Sequence, residues 1–173
     1  MNFKLRVKWS AFPLHPETPP AGQSLEDLFA SSPIDLQRKL ADFKKVAAAE
    51  GLPFGRRTHT YNSRLAQELA KWAEAEGAGE AFHDAVFRAY FADGKNLAKI
   101  EVLIALAEAV DLPAGQAEAV LMQRSFSAAV DADWDRSRRL GITAVPTFLC
   151  DDRRIVGAQP YDVLARLVAP KVA

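Results

Sequence analysis

Residues 2–9 alternate strictly between polar and apolar side chains. Phe3, Leu5, Val7 and Trp9 fall on one face, and Lys4, Arg6 and Lys8 on the other. A period of two predicts a strand buried on one side. The next stretch, Phe12 to Gly22, carries Pro13, Pro16, Pro19 and Pro20. Each proline removes a backbone donor and fixes φ, so an extended connection is expected there.

The period then changes to that of a helix. Ser32-Pro33 reads as an N-cap followed by proline at the first helical position. Leu36, Leu40, Phe43 and Ala47 recur at helical spacing, and Gly51 is placed to end that helix. A second helix, capped by Asn62 or Ser63, would turn Leu65, Leu69 and Trp72 inward until Gly77 and Gly79. Phe82, Val86, Phe87 and Tyr90 form a third stripe that stops near Gly94. Asn96 can cap a fourth, with Ile100, Leu103, Ile104 and Ala107 inward. A shorter helix follows Pro113 and carries Ala117, Val120 and Leu121. Ser125 or Ser127 can open the next, with Val130 and Trp134 inward and Gly141 as its stop.

The tail returns to strand chemistry. Val145 to Cys150 is β-rich, Asp151-Asp152-Arg153-Arg154 is a polar turn, and Ile155-Val156 is a second apolar run. This predicts a hairpin, although the turn lacks glycine. Gln159-Pro160 then opens a final helix with Leu164, Leu167 and Val168 on one side. Helices alone would suggest a bundle. The first strand and the hairpin instead point to an α/β domain with a helical insertion.

Composition narrows the function. The chain has 173 residues with 22 basic and 22 acidic side chains, so its formal net charge is zero. A nucleic-acid partner would call for a basic excess or a basic run, and neither is present. Val102 to Ala107 is the longest apolar run, far short of a membrane span. No signal-like segment opens the sequence, so a cytoplasmic location is expected. There is one cysteine, Cys150, which excludes an internal disulfide, a Cys-x-x-Cys pair and any site needing two cysteine ligands. His15, His59 and His83 are far apart, so no metal site is expected.

Several segments carry a resemblance. Gly141-Ile142-Thr143-Ala144-Val145-Pro146-Thr147-Phe148 resembles the Gly-Ile-x-x-Val-Pro-Thr-Phe segment of DsbA-like thioredoxin-fold proteins. Val156-Gly157-Ala158-Gln159-Pro160 resembles the Gly-Ala-Gln-Pro stretch after their hairpin. Val7 to Pro16 looks like the second strand and proline-rich exit of that family. Asn62 to Ala66 and Ala89 to Gly94 look like its helical insertion. The resemblance implies a thioredoxin-like, DsbA-type α/β fold. Residues 1–24 and 141–173 would form its sheet portion, and 25–140 a helical segment containing the insertion.

The resemblance also implies what the chain lacks. In that family a strand and a Cys-x-x-Cys helix precede the strand placed here at Phe3 to Trp9, and that missing strand is central. No residue of this chain matches the redox pair, so no catalytic residue is carried over. The expectation is a truncated or short form of a thiol–disulfide oxidoreductase, inactive by itself.

The resemblance assigns Val145 and Pro146 to substrate binding. The proline would be cis, and the residue before it would offer backbone hydrogen bonds to an extended substrate. Cys150 is the one candidate reactive thiol, with Arg153 and Arg154 close by, although a small buried residue is its plainer role. Arg56, Arg57, His59 and Arg64 could gather round an anion such as a glutathione carboxylate. Otherwise no cofactor is expected. Trp72, Phe82, Phe87 and Trp134 read as core rather than stacking platforms. Partners would be a thiol- or disulfide-bearing protein or a small thiol, with neither nucleic acid nor membrane. Two other readings stay open. One is a glutathione-dependent isomerase or transferase on the same fold, such as 2-hydroxychromene-2-carboxylate isomerase. The other is a non-catalytic homodimer that exchanges strands.

Overall fold

A computed structural model describes residues 4–169. They fall into two units, His15–Val130 and the combination of Met1–Leu14 with Asp131–Ala173. In the first, the proline-rich stretch runs without regular structure to β1 (Gln23–Ser24) and a single turn, α1 (Leu25–Leu28). Ser24 caps that turn, its Oγ accepting the Asp27 N–H at 2.9 Å. The amphipathic helix α2 (Leu36–Ala49) starts later than Ser32-Pro33 suggests. Its cap is Asp35, which accepts the Arg38 N–H at 3.0 Å. β2 (His59–Thr60) pairs antiparallel with β1, a contact with no periodic signal in so short a stretch.

The core of this unit lies among α3 (Arg64–Ala75), α4 (Gly79–Phe91), α5 (Ile100–Glu108) and α6 (Ala114–Gln123). Leu69, Phe82, Leu103 and Leu121 are fully buried there with Trp72 and Leu106 around them. Each such side chain withdrawn from water contributes about 1.5–3 kcal/mol. The predicted stripes of these helices are the ones that pack. Phe87 is an exception, since it is 48% exposed and not core. The stripe of α2 also departs from expectation: none of its residues is buried, and Phe43 and Val46 are 47% and 60% exposed.

Two asparagines fasten the proline-rich segment. Asn62 accepts the Arg64 N–H and donates to the carbonyls of Pro16 and Thr18. Asn96 accepts the Ala98 N–H and donates to Pro20 O. Prolines leave carbonyls without neighbouring donors, and an amide side chain at a helix start supplies them.

The second unit contains most of α7 (Ser127–Arg139), then β3 (Thr147–Cys150), β4 (Arg153–Val156) and α8 (Tyr161–Val168). The buried Asp133 of α7 accepts the Ala11 N–H at 2.8 Å and ties the segment at Ala11 to α7. β3 and β4 pair antiparallel, Thr147 opposite Val156 and Cys150 opposite Arg153. The turn between them is Asp151-Asp152, shorter than the polar run suggests. Asp151 takes the left-handed φ of +54 that aspartate tolerates.

The strand expected over Phe3 to Trp9 is not formed. Phe3 lies outside the described residues, and residues 4–9 join no sheet. A period of two becomes a strand only when a neighbour takes its N–H and C=O groups. Among the described residues no sheet ladder includes residues 4–9, and Leu5, Val7 and Trp9 stand 57%, 67% and 46% exposed. Among the described residues the sheets are therefore two separate two-stranded pairs in a helix-rich α/β chain. Among the described residues no helix is long and apolar enough to cross a membrane.

Candidate functional site

Val145 and Pro146 sit immediately before β3, and the peptide bond between them is cis. The hairpin holds this dipeptide from the far side. Gly157, at a φ of +85, donates its N–H to Pro146 O at 2.8 Å. Thr147 folds back, its Oγ1 donating to Ala144 O at 2.6 Å. Gln159 stiffens the chain after β4 by donating to Val156 O at 3.0 Å. Val145 itself is 45% exposed, and its backbone N–H and C=O have no hydrogen-bond partner among the described residues. Two unsatisfied backbone groups beside an open strand edge can take an extended chain.

Cys150 ends β3, half-buried and free. The Arg153 guanidinium lies opposite, its Nη2 3.9 Å from the thiol sulfur. That guanidinium is engaged elsewhere. Nη1 donates to the carbonyls of Arg166 at 3.2 Å and Ala169 at 2.9 Å, at the C-terminal end of α8. Arg154 points the other way and donates to Leu140 O at 3.0 Å, just past α7. Consecutive strand residues face opposite sides, and helix C-termini are the negative ends of their dipoles. The two arginines, read as a turn from the sequence, are strand residues that hold two helix ends.

The basic cluster does not assemble. Arg57 is inserted against two rings, 4.5 Å from the centroid of Tyr90 and 4.9 Å from that of Phe91. It donates to the Tyr90 hydroxyl, which donates in turn to Thr60. Arg64 is bound to Glu68, and His59 stacks on Tyr61. Arg56, Arg57, His59 and Arg64 thus form no shared anion cradle. Among the described residues no three His, Cys, Asp or Glu side chains come together as metal ligands.

The hairpin followed by a helix, with a proline entering its first strand and a helical unit placed before it in sequence, defines a thioredoxin-like protein of the helix-inserted type. The chain belongs to the DSBA-like thioredoxin domain family, whose model matches residues 2–169. It is similar to the solved structure of the probable DsbA oxidoreductase SCO1869 from Streptomyces coelicolor. That likeness has a TM-score of 0.79 and 30% identity, and it covers 88% of this chain and 69% of the other. It is also 26% identical over 174 residues to the uncharacterized protein YwbO of Bacillus subtilis (strain 168), covering 95% of this chain and 82% of that one.

Proposed function

We infer that this chain takes thiol- or disulfide-bearing polypeptides at the Val145–Pro146 dipeptide and performs no dithiol exchange by itself. The observation that carries the reading is the unsatisfied Val145 N–H and C=O beside the open edge of β3. An extended peptide laid along them gains main-chain hydrogen bonds without regard to its sequence. Exchange through a thioredoxin-type site needs an attacking thiolate and a second, resolving thiol. This chain has one thiol, at the end of β3. One cysteine also suits a reducing, cytoplasmic setting.

Dithiothreitol-driven insulin reduction tests the chemical half of the proposal. The expected result is a rate equal to the dithiothreitol background. Acceleration that disappears in Cys150→Ala would overturn it. Fluorescence anisotropy with labelled, carboxamidomethylated insulin B chain tests the binding half. Saturable binding is expected, and weaker binding by Val145→Pro, which lacks the N–H. Absence of binding, or binding unaffected by that substitution, would refute the site.

A further inference from the structure

We propose that Thr147 is a positioning residue for the peptide site: its hydroxyl, bonded to Ala144 O, aims the Val145 N–H at the bound chain. The Thr147 Oγ1 donates to that carbonyl at 2.6 Å in a part-buried bond. The Ala144 C=O and the Val145 N–H belong to one peptide unit. That unit is trans, since the cis bond of this stretch lies one position on, between Val145 and Pro146. A trans peptide is planar and turns as a plate, with its carbonyl and its N–H pointing in opposite directions. Whatever holds the carbonyl therefore fixes the direction of the N–H.

A second bond anchors the other side of the dipeptide. The Gly157 N–H donates to Pro146 O at 2.8 Å and fixes the peptide plane between Pro146 and Thr147. The plane between the two anchored ones joins Val145 to Pro146 and carries the Val145 C=O. Both open groups of Val145 thus lie on plates that are held directly or flanked by held ones, while Val145 itself stays 45% exposed. Such rigidity serves binding. A peptide gains most from a donor that is already aimed, because less freedom is lost when the two meet. A carbonyl that accepts a hydrogen bond also polarises the N–H of its own peptide, which strengthens the bond that N–H makes next. Threonine supplies the hydroxyl, and its branched Cβ suits β3, where it pairs with Val156. The binding role rests on the reading of Val145–Pro146 as a peptide site; the geometry does not.

Two measurements on the full chain separate geometry from binding. In the free protein, the NMR order parameter of the Val145 amide reads the positioning. A rigid value of about 0.85 is expected in the parent and in Thr147→Ser, and a fall toward the flexible range below about 0.6 in Thr147→Val, with the Leu149 amide unchanged. Anisotropy with labelled, carboxamidomethylated insulin B chain reads the consequence. Thr147→Val is expected to bind about three- to tenfold more weakly, and Thr147→Ser within about twofold of the parent. A Val145 amide equally rigid without the hydroxyl would overturn the proposal, as would a loosened amide with unchanged affinity. So would a loss of order that reaches Leu149, which would make Thr147 a structural residue of the hairpin, or a failure of serine to restore either readout. A parent that binds no peptide would refute the site and the binding role together, with the order parameters still deciding what holds the amide.

Discussion

Arg124 adopts a left-handed φ of +55 and lays its Nε and Nη2 on the two oxygens of the Glu68 carboxylate, each at 2.7 Å. Arg64, one turn before Glu68, adds its Nε at 2.5 Å and donates Nη2 to Ser127 O. Glu68 is wholly buried, so the carboxylate is held by the Arg124 fork and the Arg64 Nε in place of water. The arrangement locks the end of α6 onto α3. It also explains why a residue with a Cβ occupies a conformation that favours glycine.

Substitutions at the pair should therefore rank in a particular order. Glu68→Gln leaves two guanidinium groups facing a neutral amide, and a loss of about 3 kcal/mol is expected. Arg124→Ala loses the pair and keeps the strained φ. Arg124→Gly loses the pair and relieves the strain, so it should be the more stable of the two by about 1 kcal/mol. Urea denaturation of the three variants checks the ranking, and an alanine variant as stable as the glycine one would contradict it.

The same carboxylate predicts a pH dependence. Burial pushes the Glu68 carboxyl up, but the hydrogen bonds and charges of Arg124 and Arg64 outweigh it and hold the carboxyl below its ordinary 4.5. A depressed folded value means that the contribution is complete above the ordinary carboxylate range. It is lost as the pH falls through the folded value. His83 behaves in the same sense one window higher. Burial lowers it below 6.5, aided by Lys71 and opposed by Glu74 and Asp84. The unfolded chain takes that proton first, so stability should begin to fall as the pH drops below the ordinary histidine range. Denaturation midpoints from neutral pH downward should show two declines. His83→Gln should remove the upper one and Glu68→Gln the lower.

Elements that bury a stripe against another helix were legible in the sequence, because a 3.6-residue period and a core are two faces of one requirement. Leu69, Trp72, Phe82, Leu103 and Leu121 lie where the pattern put them. The pattern over Phe3 to Trp9 was equally clear, yet residues 4–9 join no sheet among the described residues. A strand depends on a neighbour that its own residues do not specify. The stripe of α2 failed for a related reason, since amphipathicity says that a face can be covered and not that it is. At the site, Val145 and Pro146 could be found from their motif. The roles of Arg153 and Arg154 could not, because the carbonyls they reach lie 13–16 and 14 residues away. Glu68 with Arg64 was readable as an i,i+4 pair. Its bond to Arg124 spans 56 positions and had no local signal.

Gly55 is a position where bare space decides the residue. Its N–H donates to Phe91 O at 2.9 Å, and a Cβ there would lie 1.9 Å from Ala92 O. Backbone cannot swing aside as a side chain can. Gly55→Ala should therefore part the loop from the end of α4 and cost about 1–3 kcal/mol. Gly51→Ala is the contrast, since nothing lies within 4 Å of its Cβ and only its φ of +68 opposes the change. That variant should lose about 1 kcal/mol. Thermal melts of both variants check the difference, and equal losses would show that contact at Gly55 is not the cause.

The last prediction concerns the shape of the Arg153 guanidinium. One arm, Nη1, reaches two carbonyls at the end of α8, and Nη2 lies toward Cys150 and toward Asp151 at 3.9 Å. Its Nε is buried and has no hydrogen-bond partner among the described residues. The side chain thus fastens the hairpin to the helix by its planar fork, while one of its donors stays unmet. Arg153→Met removes the helix-end bonds and should destabilise by about 1 kcal/mol. Arg153→Lys keeps the charge but offers a compact ammonium on a flexible stem, which cannot reproduce the planar fork. It should recover only part of the loss. Arg154→Met, which gives up one bond at an exposed position, should cost less than either. Urea midpoints of the three variants decide the matter. A lysine variant equal to the parent would mean that charge at the helix end, and not the fork, holds α8 to the hairpin.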